Sequence, residues 1–345
     1  MSAPSSERLL DVRGLTVDYE TGRATGWRRR RFPAIDAVSF DIRPGETLGL
    51  VGESGSGKST TGRAILRLVD ATSGSIRFGG LDVTALGHRT PLSYRRDVQA
   101  VFQDPSSSLN PRHLVSRSLT AALRRHGVAD RAQRDAMVAD AFERVGLSRA
   151  HLNRFPSELS GGQQQRVAIA RALALQPKLV VCDEAVSALD LSTQSQIINL
   201  LADIQESTGM SYLFIAHDLR VVRHISHRIA VMHSGRLVES APAQQLFDSP
   251  KHPYTRALLA ASPATHPEGR EQRRARRAGH RSDRRGGGTG GVQRGEAGCL
   301  FRDRCGKAME ICRTRTPALR KLDDGSRVAC HLYEVHQEEK VLAGA

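Results

Sequence analysis

Aromatic residues are scarce, with one Trp, five Tyr and nine Phe in 345 residues, which leaves few stacking platforms for single-stranded nucleic acid. Lysine is scarce too, because six of the 51 basic residues are Lys and the other 45 are Arg. No run approaches the ~18 consecutive apolar residues of a membrane-spanning helix. The opening MSAPSSERLLDVRGL lacks the basic-then-apolar pattern of a signal peptide. The expectation is a cytosolic chain that meets a membrane by docking on a membrane protein. Cysteines number five, and in that compartment they are not expected to form disulfides.

The formal charge of +15 is uneven. Residues 270–294 hold nine arginines against two acids, and Arg28 to Arg31 add four more. Runs this local read as solvated loops rather than as a nucleic-acid surface. A chain of this length can bury one main domain plus an appendage without help from a metal or disulfide.

LLDVRGLTVDY (9–19) alternates like a strand, and AIDAVSFDIRPGETLGLV (34–51) reads as two more strands broken at Pro44-Gly45. GRATGWRRRRFP between them reads as a loop. After Lys58, STTGRAILRLV carries Ile65, Leu66, Leu68 and Val69 at helical spacing. Residues 112–158 lose strand character and predict a helical subdomain. LVVCDE (179–184) and SYLFIAHD (211–218) are short apolar strands that end on acids or a histidine. This is the pattern of buried parallel strands with functional groups at their C-terminal edge. Together these elements predict an α/β core. Residues 263–298, rich in Arg and Gly, read as a flexible linker.

GESGSGKST (52–60) matches the phosphate-loop pattern between a strand and a helix. The stretch comprises Gly52, Glu53, Ser54, Gly55, Ser56, Gly57, Lys58, Ser59 and Thr60. Its glycines let backbone N–H groups surround a polyphosphate, and the following helix N-terminus adds partial positive charge. Lys58 is expected on the β- and γ-phosphates, Ser59 on Mg²⁺, and Thr60 on the α- and β-phosphates. Asp183 is expected to serve Mg²⁺ and Glu184 to polarise the attacking water. Cys182 beside them reads as a small apolar strand residue. His217 and Gln103, each following an apolar strand, point to the γ-phosphate; alone, each would read as structural. A second Ser-Gly-Gly turn, LSGGQQQR (159–166), opens a helix without a lysine. It reads as an ordinary helix cap or as a clamp on the nucleotide of another subunit.

In this order GESGSGKST, Gln103 in VFQDP, LSGGQ, LVVCDE, SALD (187–190) and His217 resemble the Walker A, Q-loop, signature, Walker B, D-loop and H-loop of an ABC transporter ATPase. The resemblance runs from about residue 7 to 262. It implies a P-loop NTPase core with an ABC β-subdomain, a helical subdomain at about 104–175 and a head-to-tail ATP-sandwich dimer. Ser160, Gly161, Gly162 and Gln163 would face the partner's nucleotide, and Asp190 would lie across the interface. Catalysis would rest on Glu184, His217 and Gln103, with Gln103 also near Mg²⁺. Tyr19 resembles the family's adenine-stacking aromatic, with a core tyrosine as the alternative.

LFDSPKHPYTRALLAASP (246–263) and GCLFRDRC with VACHLY are similar to the end regions of ATP-binding subunits of oligopeptide, dipeptide and nickel importers. The chain looks most like the second (F-type) subunit of such importers. That implies a heterodimer with another ATPase, two membrane permeases, an extracytoplasmic binding protein and a peripheral site on the inner membrane face. Four cysteines, Cys299, Cys305, Cys312 and Cys330, form a C-terminal region at 299–335. Four thiolates suit a four-iron four-sulfur cluster or zinc; the resemblance favours iron–sulfur, and free thiols are the alternative. Ala185 and Gly306 stand where the family usually has proline.

Overall fold

The computed structural model describes residues 8–21, 30–87, 89–261 and 297–334. The expected linker at 263–298 therefore lies outside the described residues except for Ala297 and Gly298. The strands are β1 (Leu10–Thr21), β2 (Arg30–Ile42), β3 (Thr47–Val51), β4 (Ser73–Phe78), β5 (Leu81–Asp82), β6 (Val98–Phe102), β7 (Leu179–Asp183), β8 (Ser211–Ala216), β9 (Arg228–His233), β10 (Arg236–Pro242), β11 (Arg320–Lys321) and β12 (Arg327–Val328). They form a four-stranded sheet, ordered β2-β1-β4-β5, and an eight-stranded sheet, ordered β11-β12-β10-β9-β3-β8-β7-β6. In the larger sheet β9, β3, β8, β7 and β6 run parallel, and β10, β12 and β11 continue it antiparallel.

The central parallel strands β3, β7 and β8 are buried along their whole length because both of their faces are covered. Leu48, Leu50, Val181, Leu213 and Ile215 face one core, shared with the small sheet and with Ile65 of the helix Lys58–Ile65. Val180, Cys182, Tyr212 and Phe214 alternate onto the other face, against Ile197, Leu201 and Ile204 of the helix Leu191–Thr208. Cys182 is fully buried there, as its apolar strand reading expects. Burial also pushes its thiol up to about 12. Between β6 and β7 the chain forms helices at Val115–Arg125, Arg131–Arg144 and Gly161–Leu173. Asp130 caps the second of these by accepting the Gln133 amide.

Two local expectations are corrected. Arg30–Pro33 is strand, not loop, because β2 pairs with β1 as far as Thr21↔Arg30 and sets Phe32 opposite Tyr19. The helix after Lys58 stops at Ile65, so Leu68 is left exposed instead of continuing an apolar stripe. Arg67 turns the chain with φ of 56°, and its guanidinium donates to the carbonyls of Leu86 and Gly87. Those tertiary bonds outweigh the helical spacing.

The C-terminal segment is tied into the same sheet. β12 pairs with β10 through Glu239↔Val328, and the Ala329 amide donates to the Val238 carbonyl. Buried Phe301 meets the rings of Tyr254 and His233 edge-on, with centroids 5.4 and 5.5 Å away. Burying such a ring stabilises the contact by roughly 2–3 kcal/mol. His252 lies in the same cluster. Its Nδ1 accepts the Tyr254 amide, and burial, with His233 close by, holds its pKa down at about 3. Stability contributed by a neutral buried His is present above its unfolded pKa of ~6.5 and is lost as pH falls toward the folded value. Protection factors of the amides across residues 297–334, corrected for the intrinsic pH dependence of exchange, are therefore expected to fall between pH 6.5 and 4. His252→Gln should weaken that dependence.

Candidate functional site

The phosphate loop leaves the end of fully buried β3 and enters the helix Lys58–Ile65 through Gly57. Glycine is required at its two tightest points. At Gly57, with φ of 106°, a Cβ would stand 2.7 Å from the Ala34 carbonyl; at Gly52 it would stand 2.2 Å from that of Met232. Buried Lys58 folds back on the loop, its Nζ donating to the carbonyls of Gly52 and Glu53 at 2.9 Å each. Desolvation lowers its pKa, while Glu184, Asp183 and Glu53 pull the other way. Glu184 acts on it most among the three, so the lysine and the acids share one electrostatic site. Thr60 follows Ser59 on the first turn of the helix.

Next door, β7 delivers Asp183 at its C-terminal end, and Ser59 Oγ donates to Asp183 Oδ1 at 2.8 Å. Burial raises the Asp183 pKa, partly offset by that Ser59 hydrogen bond. A divalent cation at this carboxylate would repay the desolvation. Glu184 follows with φ of 51°, and its amide donates to the Ile215 carbonyl of β8. The turn faces Glu184 toward His217, which follows β8; His217 Nδ1 lies 3.9 Å from Glu184 Oε1. The backbone is held in the left-handed region here although Ala185, not proline, follows. Gln103 is exposed just past the end of β6. The C-terminal edges of β3, β6, β7 and β8 thus bring Lys58, Ser59, Gln103, Asp183, Glu184 and His217 to one edge of the sheet. The hydroxyl and carboxylate oxygens of Ser59 and Asp183, with Gln103 on the neighbouring strand end, are hard donors that fit Mg²⁺.

The second turn has its own geometry. Ser160 Oγ accepts the Gln163 amide at 3.3 Å, and Gln163 Oε1 accepts the Ser160 amide at 3.0 Å, closing a capping box. The helix-cap reading is therefore met, while Ser160 and Gly161 stay exposed. The turn also packs on the first turn of the helix Leu191–Thr208: a Cβ on Gly162 would come within 2.7 Å of Thr193 Cγ2. Asp190 caps the helix Leu191–Thr208, accepting Thr193 Oγ1 at 2.7 Å and the Thr193 amide at 3.0 Å. Bonds to Ser192 and Thr193 hold its carboxyl well below the usual range. Beside it Leu191 is three-quarters exposed. Tyr19 is 38% exposed next to Phe32 at 39%, so it is not a core tyrosine.

The four C-terminal cysteines lie near one another in the C-terminal segment. Burial, then the neighbouring cysteines, raise the Cys330 thiol to about 12, and Cys299 is raised too. The thiols sit within mutual electrostatic reach, and Met309 N–H meets Cys312 Sγ at 3.5 Å. Among the described residues, however, no group of three or more His, Cys, Asp or Glu side chains is arranged to hold a metal ion. Cys299 and Cys305 also pack against the main apolar core.

Sequence reasoning missed two residues at the phosphate loop. Tyr254 Oη accepts the Glu53 amide at 2.9 Å, and Arg304 forks onto the Glu53 carboxylate. No local pattern marks a contact across 251 positions.

Fold and site together define an ATP-binding cassette. The ABC transporter family description matches residues 35–187. The oligopeptide/dipeptide transporter C-terminal region matches residues 238–312. The probable peptide ABC transporter ATP-binding protein y4tS of Sinorhizobium fredii is 45% identical over 95% of this chain and 90% of its own. A putative peptide import ATP-binding protein of Brucella abortus is 46% identical over 96% of each chain. Among solved structures, the cassette MJ0796 in a dimeric post-hydrolysis state bound to ADP and Pi superposes with a TM-score of 0.61 and 29% identity, covering 68% of this chain and 98% of that one. The chain belongs to the family of peptide ABC transporter ATP-binding proteins.

Proposed function

We propose that the chain is the ATP-hydrolysing subunit of a peptide importer, driven by closure and reopening of an ATP sandwich. The observation that carries the reading is the junction of the phosphate loop with the acids of β7, where Ser59 meets Asp183 at 2.8 Å and His217 lies 3.9 Å from Glu184. Backbone amides of residues 52–58 and the helix N-terminus receive the polyphosphate. Lys58 moves from the carbonyls of Gly52 and Glu53 to the β- and γ-phosphates, and Thr60 supports the α- and β-phosphates. Ser59, Asp183 and Gln103 hold Mg²⁺, which neutralises charge on the phosphates when bound. Glu184 accepts the proton of the attacking water, and His217 and Gln103 orient that water against the γ-phosphate. Tyr19 offers its exposed ring to the adenine. Asp183 is kept for the metal and Glu184 for the proton by their places, one inside the strand and one beyond it.

Ser160, Gly161, Gly162 and Gln163 serve the nucleotide of a second subunit, with Asp190 across the interface. The exposure of this helix start and of Leu191 supports that reading. The cassette takes in residues 7–262, with the helical subdomain at about 104–175, and the C-terminal region takes in 299–335. Two membrane permeases, a second, non-identical ATPase and an extracytoplasmic binding protein complete the importer at the inner membrane face. Among the described residues no helix is long and apolar enough to cross a membrane, which suits a peripheral subunit. Cargo of this kind, di- or oligopeptide or a nickel chelate, never touches the residues above.

The test is ATP hydrolysis by the assembled complex in vesicles. Peptide-loaded binding protein should stimulate it several-fold, and nucleic acid should not. Stimulation by DNA or RNA alone would overturn the importer reading.

A further inference from the structure

The phosphate loop is braced from outside the cassette. Glu53, the second residue of the loop, is held at three points. Its amide donates to Tyr254 Oη at 2.9 Å. Its carbonyl accepts Lys58 Nζ at 2.9 Å. Its carboxylate receives a two-pronged bond from Arg304, Nη2 to Oε1 at 3.0 Å and Nη1 to Oε2 at 3.2 Å. Arg304 lies between Cys299 and Cys305 of the C-terminal segment and is stacked 5.4 Å from the Phe301 ring. Phe301 in turn packs on Tyr254. One module therefore supplies the guanidinium and the apolar anchor that supports the phenol.

We infer that Arg304 positions the phosphate loop for ATP by cancelling the charge of Glu53 and fixing its backbone, so that the C-terminal segment completes the nucleotide site. The inference rests on the reading of this loop as the ATP site. A carboxylate inside an anion-binding turn repels a polyphosphate. Paired with a forked guanidinium, the same carboxylate becomes a tether that holds the loop in its receiving shape. Pre-organised loops bind more tightly because less order is imposed on binding. The pair is about half exposed, so its effect is graded rather than absolute.

The experiment is titration of the full chain with ATP and Mg²⁺, following a fluorescent ATP analogue. Arg304→Met should weaken binding about 5-fold, because the pair is lost and a bare carboxylate remains. Adding Glu53→Gln to that variant should recover about half of the lost affinity, since the repulsion disappears with the charge while the tether stays absent. Arg304→Lys should lie between, keeping the charge without the fork. A structural role for Arg304 alone would not be rescued by the second substitution. If the original chain binds ATP and Arg304→Met binds it equally, or if Glu53→Gln recovers none of the loss, the inference is wrong. If Arg304→Met does not fold, equal binding by Arg304→Lys and the original chain overturns it. Failure of the original chain to bind ATP would instead remove the reading of the loop itself.

Discussion

Glu184→Gln is expected to lower ATP turnover by about 10²–10³-fold while leaving nucleotide binding within about 2-fold, the usual scale for loss of a general base. The substitution keeps the shape at the end of β7 and removes only the proton-accepting charge. The hydrogen bond from the Glu184 amide to the Ile215 carbonyl and those from the Ser187 amide and Oγ to the Glu184 carbonyl engage only the main chain of Glu184, so the left-handed turn at this position should persist. Lys58 would lose its strongest acidic neighbour, which leaves its ammonium freer to serve the phosphates. The expected product is thus a chain that binds ATP and stops. Single-turnover measurements separate the two steps; turnover equal to that of the original chain would remove Glu184 as the base.

The second large effect concerns the lysine-free turn. Ser160→Arg should reduce hydrolysis by the assembled complex more than about 100-fold while ATP binding by the isolated chain changes less than about 2-fold, because in the proposed sandwich the loss falls on contacts made only when two subunits close. The side chain is exposed, so the arginine has room in the single chain. The lost cap costs about 1 kcal/mol of helix stability, too little to unfold a helix whose Val167, Ile169 and Leu173 are buried. Bulk and position at the interface then account for the defect. Equal loss of ATP binding in the isolated chain would return the turn to its plain capping role.

Much of this site was legible because its chemistry is local. GESGSGKST occupies nine consecutive residues between a strand and a helix, and the apolar run of LVVCDE could only be a strand covered on both faces. What pairing decides was less legible. The arginines before Pro33 looked like loop, yet β1 extends far enough to take Arg30 into its ladder. Leu68 and Val69 kept helical spacing beyond a helix that Arg67 ends by bonding to the turn after β5. Spacing offered four thiols in the last fifty residues, and the fold brings them within electrostatic reach of one another. The Arg304 brace is legible only once residues 53 and 304 meet in space.

Sedimentation velocity of Glu184→Gln with ATP and Mg²⁺, alone and mixed with the second ATPase subunit, tests the closing of two subunits most directly. A two-subunit particle that appears only with ATP, and fails to form when Ser160→Arg is added to both sandwich partners at the matching position, is the predicted result. A species that stays single with ATP in both mixtures, or a pair indifferent to Ser160, would contradict it.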